Sequence, residues 1–213
     1  DLDNHVTQQG ANIGDCLYKD VSGPDGKPDG KIDAYDQVVL GSGLPKVNFG
    51  LSARLEYKNF DLSISTYGAL NYHVSDDIYN SLNSCYGWGN KDVSILNANQ
   101  YSSDGKTYIS SVPRTYVTNN ASLAWNDLFS SRKIQNAAYW KIANIELGYN
   151  LPNKWFKGII SGARAYISAQ NVYTFTGYHG YNVDYAGGTF TPGNNFCSFP
   201  TPHTYMCGVQ FTF

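Results

Sequence analysis

Val47-Asn48-Phe49-Gly50-Leu51-Ser52-Ala53-Arg54-Leu55-Glu56-Tyr57, then Lys58-Asn59, then Phe60-Asp61-Leu62-Ser63-Ile64-Ser65-Thr66, is the stretch that decides the fold. Val47, Phe49, Leu51, Ala53, Leu55 and Tyr57 recur at every second position, and Phe60, Leu62, Ile64 and Thr66 do so after the break. A period of two belongs to a pleated strand, whose successive side chains point to opposite faces. Lys58-Asn59 between the two runs predicts a tight hairpin. The same pattern returns three times. From Ala138 to Leu151, Ala143, Ile145, Leu147, Tyr149 and Leu151 alternate with Asn144, Glu146, Gly148 and Asn150, until Pro152-Asn153-Lys154 ends the run. From Gly162 to Phe175, Ala163, Ala165, Ile167 and Ala169 face away from Arg164, Ser168 and Gln170. Finally, Tyr205, Cys207, Val209, Phe211 and Phe213 alternate with Met206, Gly208, Gln210 and Thr212.

These runs approach or exceed the ~9–11 residues of a tilted membrane strand, whereas strands of soluble proteins average about 5–6. The fold class is therefore all-β, an antiparallel transmembrane β-barrel portion with long extracellular loops. For the last strand the alternative is the edge of a β-sandwich. Composition agrees with the barrel. Aromatic residues make up 15% of the 213 and charged residues only 15%, against about 25% charged in a soluble chain. Eighteen tyrosines, 21 glycines, eight prolines and one methionine disfavour helix. Net charge is −2, from 15 Lys+Arg against 17 Asp+Glu. No basic field exists to hold nucleic acid or an anionic membrane by charge alone. No apolar run approaches the ~20 residues of a membrane helix, a fact without bearing on barrels, whose strands alternate apolar-out with polar-in. Asp1-Leu2-Asp3 opens the chain without a start methionine or apolar signal region, so any targeting sequence is expected upstream.

Connections alternate in length. Lys58-Asn59 and the stretch from Pro152 to Gly158 are short; Tyr72 to Gln135 and Tyr178 to His203 are long. Short turns on one side and long loops on the other are the barrel arrangement. The long loops supply the candidate ligand contacts Tyr86, Trp88, Trp125, Tyr178 and Tyr181. Such rings either stack on a ligand or pack to keep the loops compact.

Asp20 to Asp36 reads as an acidic turn. Asp29-Gly30-Lys31-Ile32-Asp33, followed by Asp36, matches the core of a calcium loop, with carboxylates at alternate positions and a glycine at the turn. Asp25, Asp29, Asp33 and Asp36 are the candidate calcium ligands. Against this, Lys27 occupies a ligand position and Asp36 replaces the longer bidentate glutamate; a solvated acidic turn is the alternative. Cys16, Cys85, Cys197 and Cys207 show no zinc spacing. They are unrelated thiols, or Cys85 and Cys197 are bridged across two loops in an oxidising compartment. No Gly-x-Ser-x-Gly elbow or His-Glu-x-x-His helix occurs, and no catalytic residue is singled out. A secreted β-rich carbohydrate-binding protein or glycoside hydrolase is the alternative reading of function.

Several blocks, in order, resemble the SusC/RagA family of TonB-dependent outer-membrane transporters. They are the Asp29-Gly30-Lys31-Ile32-Asp33 loop, Gly41-Ser42-Gly43-Leu44-Pro45-Lys46, Phe49-Gly50-Leu51, Tyr57 to Ser63, Tyr139 to Pro152, Arg164 to Thr176, and Gly180-Tyr181-Asn182-Val183-Asp184. The aromatic last strand, with Phe211 and Phe213, resembles the assembly signal of bacterial outer-membrane barrels. The resemblance implies that residues 1–213 are the C-terminal part of a barrel of about 22 strands, supplying six to eight of them, with plug domain and N-terminal strands absent. It implies an importer of oligosaccharides or peptides in the bacterial outer membrane, which does not catalyse. Its partners would be a SusD-like surface lipoprotein, the TonB complex and the lipid bilayer.

Overall fold

In chain order the elements are β1 (Val47–Tyr57), β2 (Phe60–Leu70), β3 (His73–Asp76), α1 (Asp77–Leu82), β4 (Ile134–Asn136), β5 (Tyr139–Leu151), β6 (Gly162–Thr176), β7 (Asn194–Asn195) and β8 (Thr204–Thr212). This is a computed structural model, and it describes residues 6–87, 89–116, 125–156, 160–184, 188 and 190–213. The chain divides into two compact units, one of Gly41–Asp76 with Ile134–Phe213, the other of the residues up to Leu40 with Asp77–Lys133.

The first unit is built on a five-stranded sheet in the order β1-β2-β5-β6-β8, each neighbour antiparallel to the next. It is an up-and-down meander, as the alternation predicts. Against an expectation of six to eight spanning strands, five long ones are found among the described residues. β3, β4 and β7 are too short to span and form a separate three-stranded sheet in the order β4-β3-β7. The β1–β2 hairpin pairs Tyr57 with Phe60 around Lys58-Asn59, with Lys58 taking the left-handed conformation at φ 55°.

One face of the long sheet is apolar and bare. Leu51 is 65% exposed and Ile167 59%, both inside strands where a soluble sheet would bury them. Aromatic rings border this face at both ends. Phe60 packs on Tyr149 at 4.8 Å between centroids near the short turns, and Trp140 stacks on Phe175 at 5.3 Å near the long loops. Between those rows lie Leu62, Ile64 and Thr66 of β2, opposite Leu147, Ile145 and Ile142 of β5. Eight residue steps from Phe60 to Gly68, at ~3.4 Å each, make ~27 Å along the strand, or ~21 Å along the axis of a barrel with strands tilted ~40°. That is close to the ~25 Å apolar band of an outer-membrane barrel between its aromatic girdles.

β5 departs from the predicted alternation at one residue. Asn144 pairs with Ser65, but Ile142 pairs with Thr66, the residue next to Ser65, so Ala143 is left over as a bulge. A bulge turns every residue beyond it to the other face. Trp140 and Ile142 thereby join the apolar face, while Lys141 joins the polar one beside Tyr67. Strict alternation would have aimed Lys141 into the apolar band.

The core of this unit is not under the long sheet. Ala69, Tyr72, Val74, Ala137, Tyr178 and Val183 form its buried cluster, where the chain leaves β2, approaches β5 and leaves β6. In the second unit, Thr7 bridges Lys31, Tyr86 bridges Tyr116, and Tyr101 bridges Tyr108. Asp15 and Arg114 form an ion pair there at 2.5 Å, with the Asp15 side chain only 1% exposed. Asn126 completes that pair by donating to Asp15 Oδ1 (2.9 Å) and accepting from the Cys16 N–H (2.6 Å).

Candidate functional site

The polar face of the long sheet carries two charge clusters. Near the short turns, Arg164 of β6 donates from Nε to Asp61 Oδ1 of β2 at 3.0 Å, from Nη2 to Asp61 Oδ2, and from Nη2 to Glu146 of β5 at 2.7 Å. A guanidinium fork of this kind fixes orientation as well as charge. β5 separates the two partners, and Gly148 is what lets the fork cross it. A Cβ there would collide with Arg164 Nη2 and lie 2.5 Å from Asp61 Oδ1.

Near the long loops, Lys141 donates to Asp184 Oδ2 at 2.8 Å and Tyr67 donates to the same oxygen at 2.6 Å. Asp184 belongs to the loop between β6 and β8, so this pair ties that loop to the polar face. Burial pushes the Asp184 carboxyl up, but hydrogen bonds from Lys141 and Tyr67 outweigh it and hold the group below the ordinary carboxylate range. The same loop is held at further points. Tyr72 donates its hydroxyl to the Val183 carbonyl. Tyr178 donates to Asp76, and Asn195 donates to Asp76 at 3.1 Å and to the Tyr178 hydroxyl at 2.7 Å. Burial, followed by Asp76, pushes the Tyr178 phenol up. Gly180 sits against this network, where a Cβ would collide with the Tyr178 hydroxyl.

A meander with one girdled apolar face and one charged face, its loop strapped to the charged side, can now be set beside known proteins. No family model matches the chain. TonB-dependent receptor P3 of Formosa agariphila is 26% identical over 205 residues, covering 92% of this chain and 19% of its own length. TonB-dependent receptor SusC of Bacteroides thetaiotaomicron is 25% identical over 211 residues, with the same two coverages. A solved structure of the RagAB peptide transporter superimposes with TM-score 0.67 at 27% identity, over 81% of this chain and 18% of that one. The RagAB peptide importer in its "open-open" state gives TM-score 0.68 at 27% identity, over 91% of this chain and 20% of that one. The chain is similar to a barrel portion of SusC and RagAB. It spans about a fifth of the length of the relatives it matches.

In a barrel portion of this kind a bare apolar face is suited to lipid and a charged face to a lumen. The relatives are receptors and transporters, not enzymes, and the hydrolase alternative falls with that.

The aromatic residues chosen from sequence divide in their roles. Tyr86 stacks on Tyr116 at 5.5 Å, and Trp125 packs on Tyr18 at 5.6 Å while donating its indole N–H to the Gln9 carbonyl at 3.0 Å. Both rings are engaged in loop packing. Tyr178 is buried with its hydroxyl in the Asp76 network, which leaves it no free face for stacking. Tyr181 is 66% exposed. Trp88 lies outside the described residues. Phe211 belongs to β8 on the apolar face opposite Ala163, and Phe213 follows the strand, exposed.

Asp25, Asp29, Asp33 and Asp36 do not assemble a calcium site. Among the described residues no group of three or more His, Cys, Asp or Glu side chains is placed to hold a metal. The carboxylates instead fold the turn. Asp36 accepts from the backbone N–H of Val21 (2.8 Å), Ser22 (3.2 Å) and Asp33 (2.9 Å). Asp33 accepts from Tyr35, Asp29 from Lys31, and Asp20 from Gly30. The Asp33 and Val21 amides lead in drawing the Asp36 carboxyl below its usual range. Calcium takes about six to eight oxygens, and Asp20 Oδ1 is the one buried carboxylate oxygen in the turn left without a donor.

Asp61, Lys141, Arg164 and Asp184 are not singled out by the sequence. Lys141 is legible in principle: the adjacent apolar pair Ile142-Ala143 breaks the alternation where a lysine would otherwise face lipid. Nothing in the sequence joins Asp184 to it.

Proposed function

We propose that this chain is the C-terminal part of a TonB-dependent importer in the outer membrane of a Gram-negative bacterium, forming barrel wall and extracellular loops. The observation that carries this reading is the five-stranded meander with a bare apolar face between two aromatic rows, in a chain similar to SusC and to the RagAB peptide transporter. Both sheet edges, β1 and β8, are unpaired among the described residues. Lipid does not tolerate open edges, so in this reading the edges pair with strands outside these residues, in the same polypeptide or in another chain.

The cargo is an oligosaccharide or a peptide. Tyr181 on the strapped loop supports either, since a ring stacks on a sugar face or on an apolar side chain. A SusD-like surface lipoprotein would close over the loops, and the TonB complex would act through a plug outside this chain. The residues described here bind and guide. The decisive test expresses the full-length protein in an outer membrane and measures energy-dependent uptake of glycan and peptide libraries. Uptake that stops when the proton-motive force is collapsed supports the reading; detergent-free solubility of the full-length protein overturns it.

A further inference from the structure

Folding sorts the four cysteines. Cys197 and Cys207 are exposed, whereas Cys85 is buried and Cys16 half-buried. The last two, far apart in sequence, converge on one side chain. Arg132 donates from Nη1 to Cys16 Sγ at 3.4 Å, and the charge of the same guanidinium acts on the Cys85 thiol. The backbone brings them together independently. Arg114 donates its N–H to the Gly14 carbonyl (2.8 Å), and Tyr116 donates to the Cys85 carbonyl (3.0 Å). The two donors are only two residues apart in the chain. The segments bearing Cys16 and Cys85 are therefore both tied to residues 114–116. Cys85 Sγ also donates to the Pro113 carbonyl at 3.7 Å, and the Cys16 N–H donates to Asn126, which itself donates to the Arg114 carbonyl.

We propose that Cys16 and Cys85 are a disulfide site, paired under oxidising conditions to staple the two segments around Arg114 and Arg132. The sequence offers Cys85 with Cys197 as the alternative pairing, and the two proposals exclude each other. The oxidant is a disulfide-bearing thiol oxidase or small-molecule disulfide. One cysteine thiolate attacks it and expels a thiol, and the second cysteine attacks the mixed disulfide and expels the other. Two protons and two electrons leave the cysteines, and the oxidant's disulfide is reduced to two thiols. Burial pushes both native thiols up, with Arg132 opposing it. A buried thiol is a poor nucleophile, so the bond forms during folding. The proposal rests on the outer-membrane reading only for access to an oxidising compartment.

The test takes the full-length protein, folds it with oxidised glutathione, and traps it in denaturant with N-ethylmaleimide without reductant. The digest is then weighed before and after reduction. The expected result is a Cys16 peptide joined to a Cys85 peptide, separable by reductant, with Cys197 and Cys207 carrying maleimide. In Cys16→Ser, Cys85 becomes alkylated. Maleimide on both Cys16 and Cys85 of the folded protein, or a Cys85–Cys197 linkage, overturns the proposal. Absence from the outer-membrane fraction would sink the transport reading while leaving this cross-link intact.

Discussion

Replacing Lys141 by methionine tests the strap between the β6–β8 loop and the polar face of the long sheet. The Lys141 side chain is 5% exposed and that of Asp184 16%, so the substitution leaves a carboxylate in a largely dry site. Removing one partner of a buried pair costs about 3–5 kcal/mol. Asp184 keeps its Tyr67 hydrogen bond and some access to water, which lowers the expectation to about 2–4 kcal/mol. Each 1.4 kcal/mol is tenfold, so the population with the loop released should rise by about 30- to 700-fold. Limited proteolysis of the full-length protein, read at residues 177–203, follows that population when opening is fast relative to cleavage. A cycle with Asp184→Asn completes the experiment: once Asp184 is neutralised, Lys141→Met should add far less than it does alone. Cleavage of Lys141→Met within about twofold of the parent, well short of the rise expected when a buried pair loses one partner, would refute the strap, as would additive effects in the cycle. The pH dependence follows. Asp184 has its folded pKa depressed, so its contribution is present above the unfolded value of about 3.9 and is lost as pH falls through the folded one.

Other expectations are simpler to state. Gly148→Val should push Arg164 off Asp61 and lower stability by about 1–3 kcal/mol, seen as a lower unfolding midpoint in urea; an unchanged midpoint would mean that the fork does not need the gap. Asp36→Ala should destabilise the acidic turn equally with calcium and with a chelator, and a calcium-dependent difference in thermal unfolding would restore the metal reading. Deleting Phe213 should impair barrel assembly, measured as loss of the heat-modifiable folded band on electrophoresis; normal insertion would remove its role as a signal.

The long strands are legible because lipid and lumen select opposite side chains at successive positions, and Val47–Tyr57 carries that selection with no interruption. The hairpin at Lys58-Asn59 and the asymmetry of the loops follow from the same text. The bulge at Ala143 is harder to see. An alanine fits either face, and the signal lies in its neighbours, where Lys141 has to escape the apolar band. Loop function is least legible. Tyr178 and Tyr181 are equivalent as letters, yet one is sealed in a network with Asp76 and Asn195 while the other is exposed, a difference fixed by contacts distant in sequence. The acidic turn misleads for a related reason. Carboxylates spaced to surround a cation are also spaced to cap backbone amides, and here Asp33 and Asp36 form a capping box around a short helical turn.

The claim on which everything depends is that β6 has lipid on one side and the lumen on the other. Nitroxide labels placed singly from Ala165 to Gln170, in the full-length protein with its native cysteines replaced and reconstituted in bilayers, test it by relaxation with oxygen and with a polar nickel complex. Oxygen accessibility should peak at Ala165, Ile167 and Ala169 and fall at Tyr166, Ser168 and Gln170. An absent period of two, or a period in the opposite phase, would contradict the account.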